Sequence, residues 1–225
     1  MKNKIYNILT KPYIVVLTMI IAPLFSILDR NFGYFFGLGV ALLILWGSGY
    51  DWSRFGYGER IHKKMVLKNA LIAIVLVVVF FTLSAVLQLY FEKVDLSSLD
   101  DLRNNFVSYL ITLILVWIFA AFGEEFLFRS YYMRQLAVLF GNTNKAWFFS
   151  AVIVGVYFGV SHNYQGTAGM IGAGLWHFCV SMIFRHKRNN LVSTVLIHGF
   201  YDTIGLTLLY FSKERIIADW IQQFF

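Results

Sequence analysis

Charge is scarce in this chain, and so are cysteine and proline. Of 225 residues only 14% are charged, one is cysteine and two are proline. A soluble globular domain carries roughly 25% charged residues, so this composition cannot cover a conventional wet surface. The lone Cys179 excludes an intrachain disulfide. It sits in an apolar run, away from the electropositive, exposed setting that makes a thiol reactive. Acids number 12 against 19 bases, yet the bases are scattered through short loops. That scatter excludes a nucleic-acid patch and reads as membrane topology signalling. No internal repeat or low-complexity segment is present, and little length is left for a soluble domain.

Apolar sequence is what abounds, at 59% of residues. It is gathered into runs near or above the ~18 residues that cross a bilayer as a helix. Helices satisfy their backbone groups within one segment, as lipid demands. The expected fold class is all-α, a polytopic integral membrane helical bundle of about seven or eight spans, with 1–225 as a single membrane domain. Predicted segments are 12–28, 32–49, 66–91, one starting near 105, 146–162, 167–184 and 191–211, with an amphipathic tail at 214–225. The tight turn Asp29-Arg30-Asn31 joins the first two. The first run follows Lys2, Lys4 and Lys11 like a signal-peptide leader. It holds Pro12 and Pro23, lacks a small-residue cleavage site and leads at once into another span, so it reads as a retained signal anchor.

Loop charge sets an orientation. The N-terminus, loop 50–65 and loop 185–190 are basic, whereas loop 92–104 carries Glu92, Asp95, Asp100 and Asp101. Alternate crossings put the basic loops on one side, so the N-terminus is expected to be cytoplasmic. Gly33 and Gly37, and the series Gly166, Gly169, Gly172 and Gly174, mark close helix contacts.

Against this background a few ionisable residues stand at membrane depth: Glu124, Glu125, Arg129, His162, His177, His198 and Asp202. Each costs about 2.5–3.5 kcal/mol to insert, so such residues are functional candidates. Residues four apart share a helix face, which pairs Glu125 with Arg129, Phe158 with His162 and His198 with Asp202. Glu125–Arg129 reads as a structural ion pair, which leaves Glu124 as the better catalytic candidate. His177, lacking a partner at this spacing, reads as structural, and Arg134 reads as snorkelling to the cytoplasmic interface. If the three faces converge, a carboxylate with a histidine can take a proton from water. A second histidine with a polar neighbour can stabilise an oxyanion. That set suits peptide-bond hydrolysis without a serine or cysteine nucleophile.

The three motifs EEFLFR (124–129), FGVSH (158–162) and HGFYD (198–202) resemble those of the CPBP family, the CAAX prenyl endopeptidases and bacteriocin-processing enzymes also called Abi. The stretches HNYQGTAGMIGAG and NNLVSTVLIHGFYDTIG resemble the family too, so the likeness covers about 105–210. It implies an intramembrane protease with a cavity open to cytosol and lipid. Glu124 would be the general base, aided by His162. His198 and Asp202 would stabilise the oxyanion, and Glu125, Arg129 and Phe158 would support them. Prenyl-protein members usually have asparagine where Asp202 stands. An ionised carboxylate cannot donate a hydrogen bond to an oxyanion, so Asp202 is either protonated, or orients His198, or binds metal. No cofactor is required by the pattern. A zinc ion, if held, would take His162, His198, Glu124 and Asp202, although the H-E-x-x-H of zinc proteases is absent.

Placing Glu124 inside the membrane requires segment four to continue as helix to about Leu139, and segment five to tilt or end early. The expected partners are membrane lipid and a peptide or lipidated peptide: a CAAX-like sequence, a pheromone or a bacteriocin leader. The compositional style points to a bacterial cell membrane. A non-catalytic scaffold or self-immunity protein of the same fold is the alternative. A proton-relay transporter would need an inverted repeat, and none is visible. Rhomboid-type G-x-S-G and presenilin-type G-x-G-D motifs are missing.

Overall fold

The computed structural model describes residues 1–29 and 31–224, and among these it is all-α, with one isolated bridge between Tyr57 and Asn190. The helices are α1 (Lys2–Leu9), α2 (Pro12–Ser26), α3 (Phe32–Gly47), α4 (Lys63–Leu87), α5 (Phe106–Leu139), α6 (Asn144–Ser161), α7 (Gly166–His186), α8 (Leu191–Tyr210) and α9 (Ile216–Ile221). Every expected segment coincides with one of them. Arg30, in the expected turn, and Phe225, at the end of the expected tail, lie outside the described residues.

The start of the chain differs from expectation. The basic leader is itself a helix, α1, and the chain bends by 74° before α2. Pro12 stands at the first position of α2, where its missing N–H costs nothing and its fixed φ favours a fresh start. Among the described residues four helical stretches are long and apolar enough to cross a membrane: Lys63–Leu87, Phe106–Leu139, Asn163–His186 and Leu191–Tyr210. A fifth is added if α1 and α2 count as one bent span, and α3 is a shorter apolar helix. The protein is an integral membrane protein.

Burial along α4 shows why. Met65, Asn69, Ala73, Leu76 and Phe80 face inward at three- and four-residue steps. Leu67, Leu71, Ile74, Val75, Val78 and Val79 are all at least half exposed. A helix apolar on every side belongs in lipid.

The chain divides into two compact units. One comprises Met1–Arg60, Gly123–Val154 and Ser181–Val192; the other comprises Ile61–Phe122, Gly155–Val180 and Ser193–Phe225. In the first, Gly33 lets α3 approach α2, since a Cβ there would lie 2.5 Å from the Ala22 carbonyl oxygen. Gly37 likewise admits the Tyr132 hydroxyl and Leu127 of α5.

In the second unit the acidic loop is ordered rather than loose. Its 3₁₀ turn, Ser97–Leu102, buries Leu102 against Leu206 and Leu209 of α8. Arg103 pairs with Glu214 at 2.7 Å and with Asp100 at 3.1 Å. Asn69 of α4, buried to 2% exposure, donates to the Ser193 hydroxyl of α8 at 3.3 Å.

The closest helix contact in this unit is made by Gly155 and Gly159 of α6 against Gly174 of α7. A Cβ on Gly159 would sit 2.8 Å from the Met170 carbonyl oxygen and 3.0 Å from the Gly174 Cα. Backbone atoms cannot step aside. Gly159→Ala should therefore destabilise the protein by about 1–3 kcal/mol in thermal unfolding, as overpacking does. Gly172→Ala, where a Cβ meets nothing within 4 Å, should leave stability unchanged or slightly raised.

Candidate active site

The first motif falls near the middle of α5. Glu124 is 18 residues from Phe106 and 15 from Leu139 (124 − 106 and 139 − 124), so the helix continues past it to Leu139, as the sequence requires. Val116–Met133 is wound as a π-helix. Such i→i+5 winding is rare in proteins and frequent at functional sites. Within it, Arg129 Nη1 lies 2.9 Å from Glu125 Oε1, and neither side chain has any exposed surface. The segment around Trp52–Phe55 covers this stretch. Trp52 and Phe55 pack on Phe126 at ring distances of 5.9 and 5.3 Å. Ser130 donates to the Phe55 carbonyl at 2.5 Å. Glu124 is only half-buried, within electrostatic range of Arg129 and Tyr34.

The second and third motifs lie in the other unit, and there they come together. Phe158 is buried at the end of α6, its ring 4.3 Å from that of His162 and 4.0 Å from that of His177. His177 is fully buried and stacked on Phe158 with 17° between planes, consistent with a structural role. His162 Nδ1 sits 2.9 Å from the Phe158 carbonyl. A carbonyl only accepts, so Nδ1 carries the proton in the neutral ring and Nε2 keeps its lone pair.

His198, 4% exposed, places Nε2 3.2 Å from Asp202 Oδ2. His162 is within electrostatic range of both His198 and Asp202.

Several supporting residues have no signature in the sequence. Trp176 meets the His198 ring edge-on at 4.4 Å and Tyr201 at 5.1 Å. Phe81 of α4 meets the other side of Tyr201 at 6.4 Å. The Trp117 indole N–H donates to the Thr203 hydroxyl at 3.1 Å, and Thr203 donates to the Gly199 carbonyl at 2.6 Å. Gly199 of the HGFYD motif is required here, because a Cβ would lie 2.5 Å from the Trp117 ring. A tryptophan in an uncharged run signals only apolar bulk, so its partner could not be named from sequence.

The acidic loop clamps the segment after His162. Asp95 N–H donates to the Gln165 carbonyl at 3.1 Å, and the Glu92 carboxylate accepts the Thr167 N–H at the start of α7. Gly166 adopts φ +80° there, a conformation suited to glycine. The Thr167 N–H holds the Glu92 carboxyl below its ordinary range.

Among the described residues no group of three or more His, Cys, Asp or Glu side chains is placed to hold a metal ion.

Residues 106–204 match the family model of the type II CAAX prenyl endopeptidase Rce1-like proteins. No curated protein and no solved structure matches the chain.

Two tests follow from this geometry. Removing one partner of a buried ion pair strands the other, at a cost of about 3–5 kcal/mol. Glu125→Ala and Arg129→Ala should each lower thermal stability by that order, and the double variant should cost well below their sum. Additive losses would show that the pair is not coupled. For Glu92, a depressed carboxyl stabilises above its ordinary pKa of about 4.3 and ceases to do so as pH falls through the lower folded value. The protection factors of amides 163–168 should hold at neutral pH and drop once acid carries Glu92 through its lowered carboxyl value. In Glu92→Ala exchange should be fast throughout, with no step.

Proposed function

We propose that this chain, whose residues 106–204 match the model of the type II CAAX prenyl endopeptidase Rce1-like family, is a glutamate-dependent intramembrane protease that hydrolyses a peptide bond with an activated water. The observation that carries this reading is the division of labour between adjacent acids. Glu125 is sealed in an ion pair with Arg129, while Glu124 stays half-buried, within electrostatic range of Arg129 and Tyr34.

Glu124 takes a proton from water as that water adds to the scissile carbonyl carbon, and later delivers it to the leaving amine. His162 aids this step through the Nε2 lone pair left by its Phe158 hydrogen bond. The carbonyl oxygen becomes an oxyanion as the water adds. His198, in its imidazolium form, keeps one N–H on Asp202 and offers the Nδ1–H to that charge. Asp202 then serves as a positioning residue for His198 and not as an oxyanion donor.

The substrate is a membrane-associated peptide: a prenylated CAAX-like sequence, a pheromone or a bacteriocin leader. The N-terminus is cytoplasmic by the lysine and arginine bias of the loops, in a bacterial cell membrane, and 1–225 act as one membrane domain.

The deciding experiment compares wild type with Glu124→Gln, purified in detergent, on a library of lipidated and unmodified peptides. A general base contributes about 10²–10⁴-fold, so turnover should fall by at least a hundredfold while thermal stability is retained. Turnover that survives the exchange rules out Glu124 as base. A wild-type protein that binds these peptides without cleaving any would instead be a scaffold or immunity protein.

A further inference from the structure

A cleft of about 670 Å³ opens at the end of α7, lined by Asn144, Met182, Arg185, His186 and Arg188. It lies within the unit that holds the α5 C-terminus, the start of α6 and the end of α7. Asn144 organises its cations. The Asn144 carbonyl accepts from Arg185 Nε and Nη2 at 3.2 and 3.0 Å, and its side-chain oxygen accepts from Arg188.

Behind them, Arg134 Nη2 donates to the Arg188 carbonyl at 2.7 Å. Trp147 carries the Arg188 guanidinium at 4.7 Å and that of Arg134 at 5.9 Å. The buried Arg134 Nε has no acceptor. Among the described residues none of these three arginines meets a carboxylate. The acid of the adjoining loop, Glu59, is engaged by Asn190 at 2.6 Å and Lys187 at 4.0 Å.

Two fixed guanidiniums lining the cleft, Arg185 and Arg188, with the buried charge of Arg134 behind them, are a receptor for a phosphate group. The planar fork matches phosphate oxygens, and pre-orientation by Asn144 and Trp147 reduces the entropy lost on binding. The source of that phosphate follows from place. The spanning helix Asn163–His186 ends in this cleft, which puts it at headgroup level. Phe148 and Phe149, just after Asn144 on α6, are 38% and 57% exposed and offer apolar surface for acyl chains. Basic pockets between transmembrane helices are suited to anionic headgroups. We propose that this cleft binds the phosphate of an anionic phospholipid, separately from the peptide-hydrolysing residues.

The test uses the full chain in nanodiscs of phosphatidylcholine with or without phosphatidylglycerol, with retained lipid counted by native mass spectrometry. Wild type should retain phosphatidylglycerol in preference to phosphatidylcholine. That preference should fall roughly fivefold per arginine neutralised, so about 25-fold in Arg185→Gln/Arg188→Gln. Lys213→Gln, a charge removed elsewhere, should leave it unchanged. Arg188→Lys keeps the charge but loses the fork and should fall between. Inorganic phosphate at millimolar concentration should not displace the lipid. Equal retention of both lipids, an equal loss in Lys213→Gln, or displacement by free phosphate would each overturn the proposal.

Discussion

Glu125 and Arg129 form a fully buried ion pair, set in a π-wound stretch whose other residues, Glu124 and Ser130 apart, are apolar or aromatic. Withdrawing each ion from water costs several kcal/mol, and a close, well-oriented partner is what offsets it. The pair therefore dictates which way α5 is turned. Both side chains must face the interior, and a covering must keep water off them. The segment around Trp52–Phe55 supplies that covering, pinned by Ser130 and by the rings stacked on Phe126. Leu191 N–H donating to the Gly56 carbonyl at 2.9 Å ties the same segment to the start of α8. Glu124 follows from this geometry. An adjacent residue in a helix is turned by about 100° at 3.6 residues per turn, and by less in wider π winding. It cannot share the sealed side, so it emerges half-buried.

The histidines obey a second constraint, the need of each ring nitrogen for a defined partner. His162 spends its Nδ1 proton on the carbonyl one turn back, with the Ser161 hydroxyl also within 3.3 Å of that nitrogen. His198 takes its partner one turn ahead, from Asp202. Aromatic rings then remove the remaining freedom. Phe158 lies against His162, and Trp176 closes the edge of His198. Trp117 presses on Gly199 and holds Thr203, so the HGFYD turn of α8 is fixed from outside. The acidic loop adds its clamp at Thr167. A segment expected to serve as a topology signal is thus also a structural brace for the residues next to His162.

The helices were legible because lipid imposes a length and an apolarity that few other structures share. The pairs at four-residue spacing were legible for the same kind of reason, since helix geometry leaves no choice about which residues are neighbours. Glu125–Arg129, Phe158–His162 and His198–Asp202 all meet as that spacing requires. Contacts between segments were not legible. Nothing about Trp117 announces Thr203, 86 positions away, and nothing about Glu92 announces Thr167, 75 positions away. Local winding was also hidden, because π and α stretches draw on the same apolar residues. The helix α1 escaped notice because lysines at a chain start read equally as a leader or as a helix face, and only the Pro12 restart separates it from α2.

Asp202 shows how one substitution in a motif changes the chemistry available to it. An asparagine at this position would present an N–H that donates to developing negative charge. A carboxylate presents only acceptors, and beside an oxyanion it would repel. Asp202 Oδ2 lies 3.2 Å from His198 Nε2, and on the proposed reading the carboxylate spends its charge on the imidazole and does not compete for the oxygen. On the proposed reading this chain holds its oxyanion with an imidazolium backed by a carboxylate. The two arrangements differ in their protons. An amide donor works at any pH, whereas an imidazolium works only while it keeps both of its protons. The exposed edge of Asp202, 23% accessible, is where solvent reaches the His198–Asp202 pair.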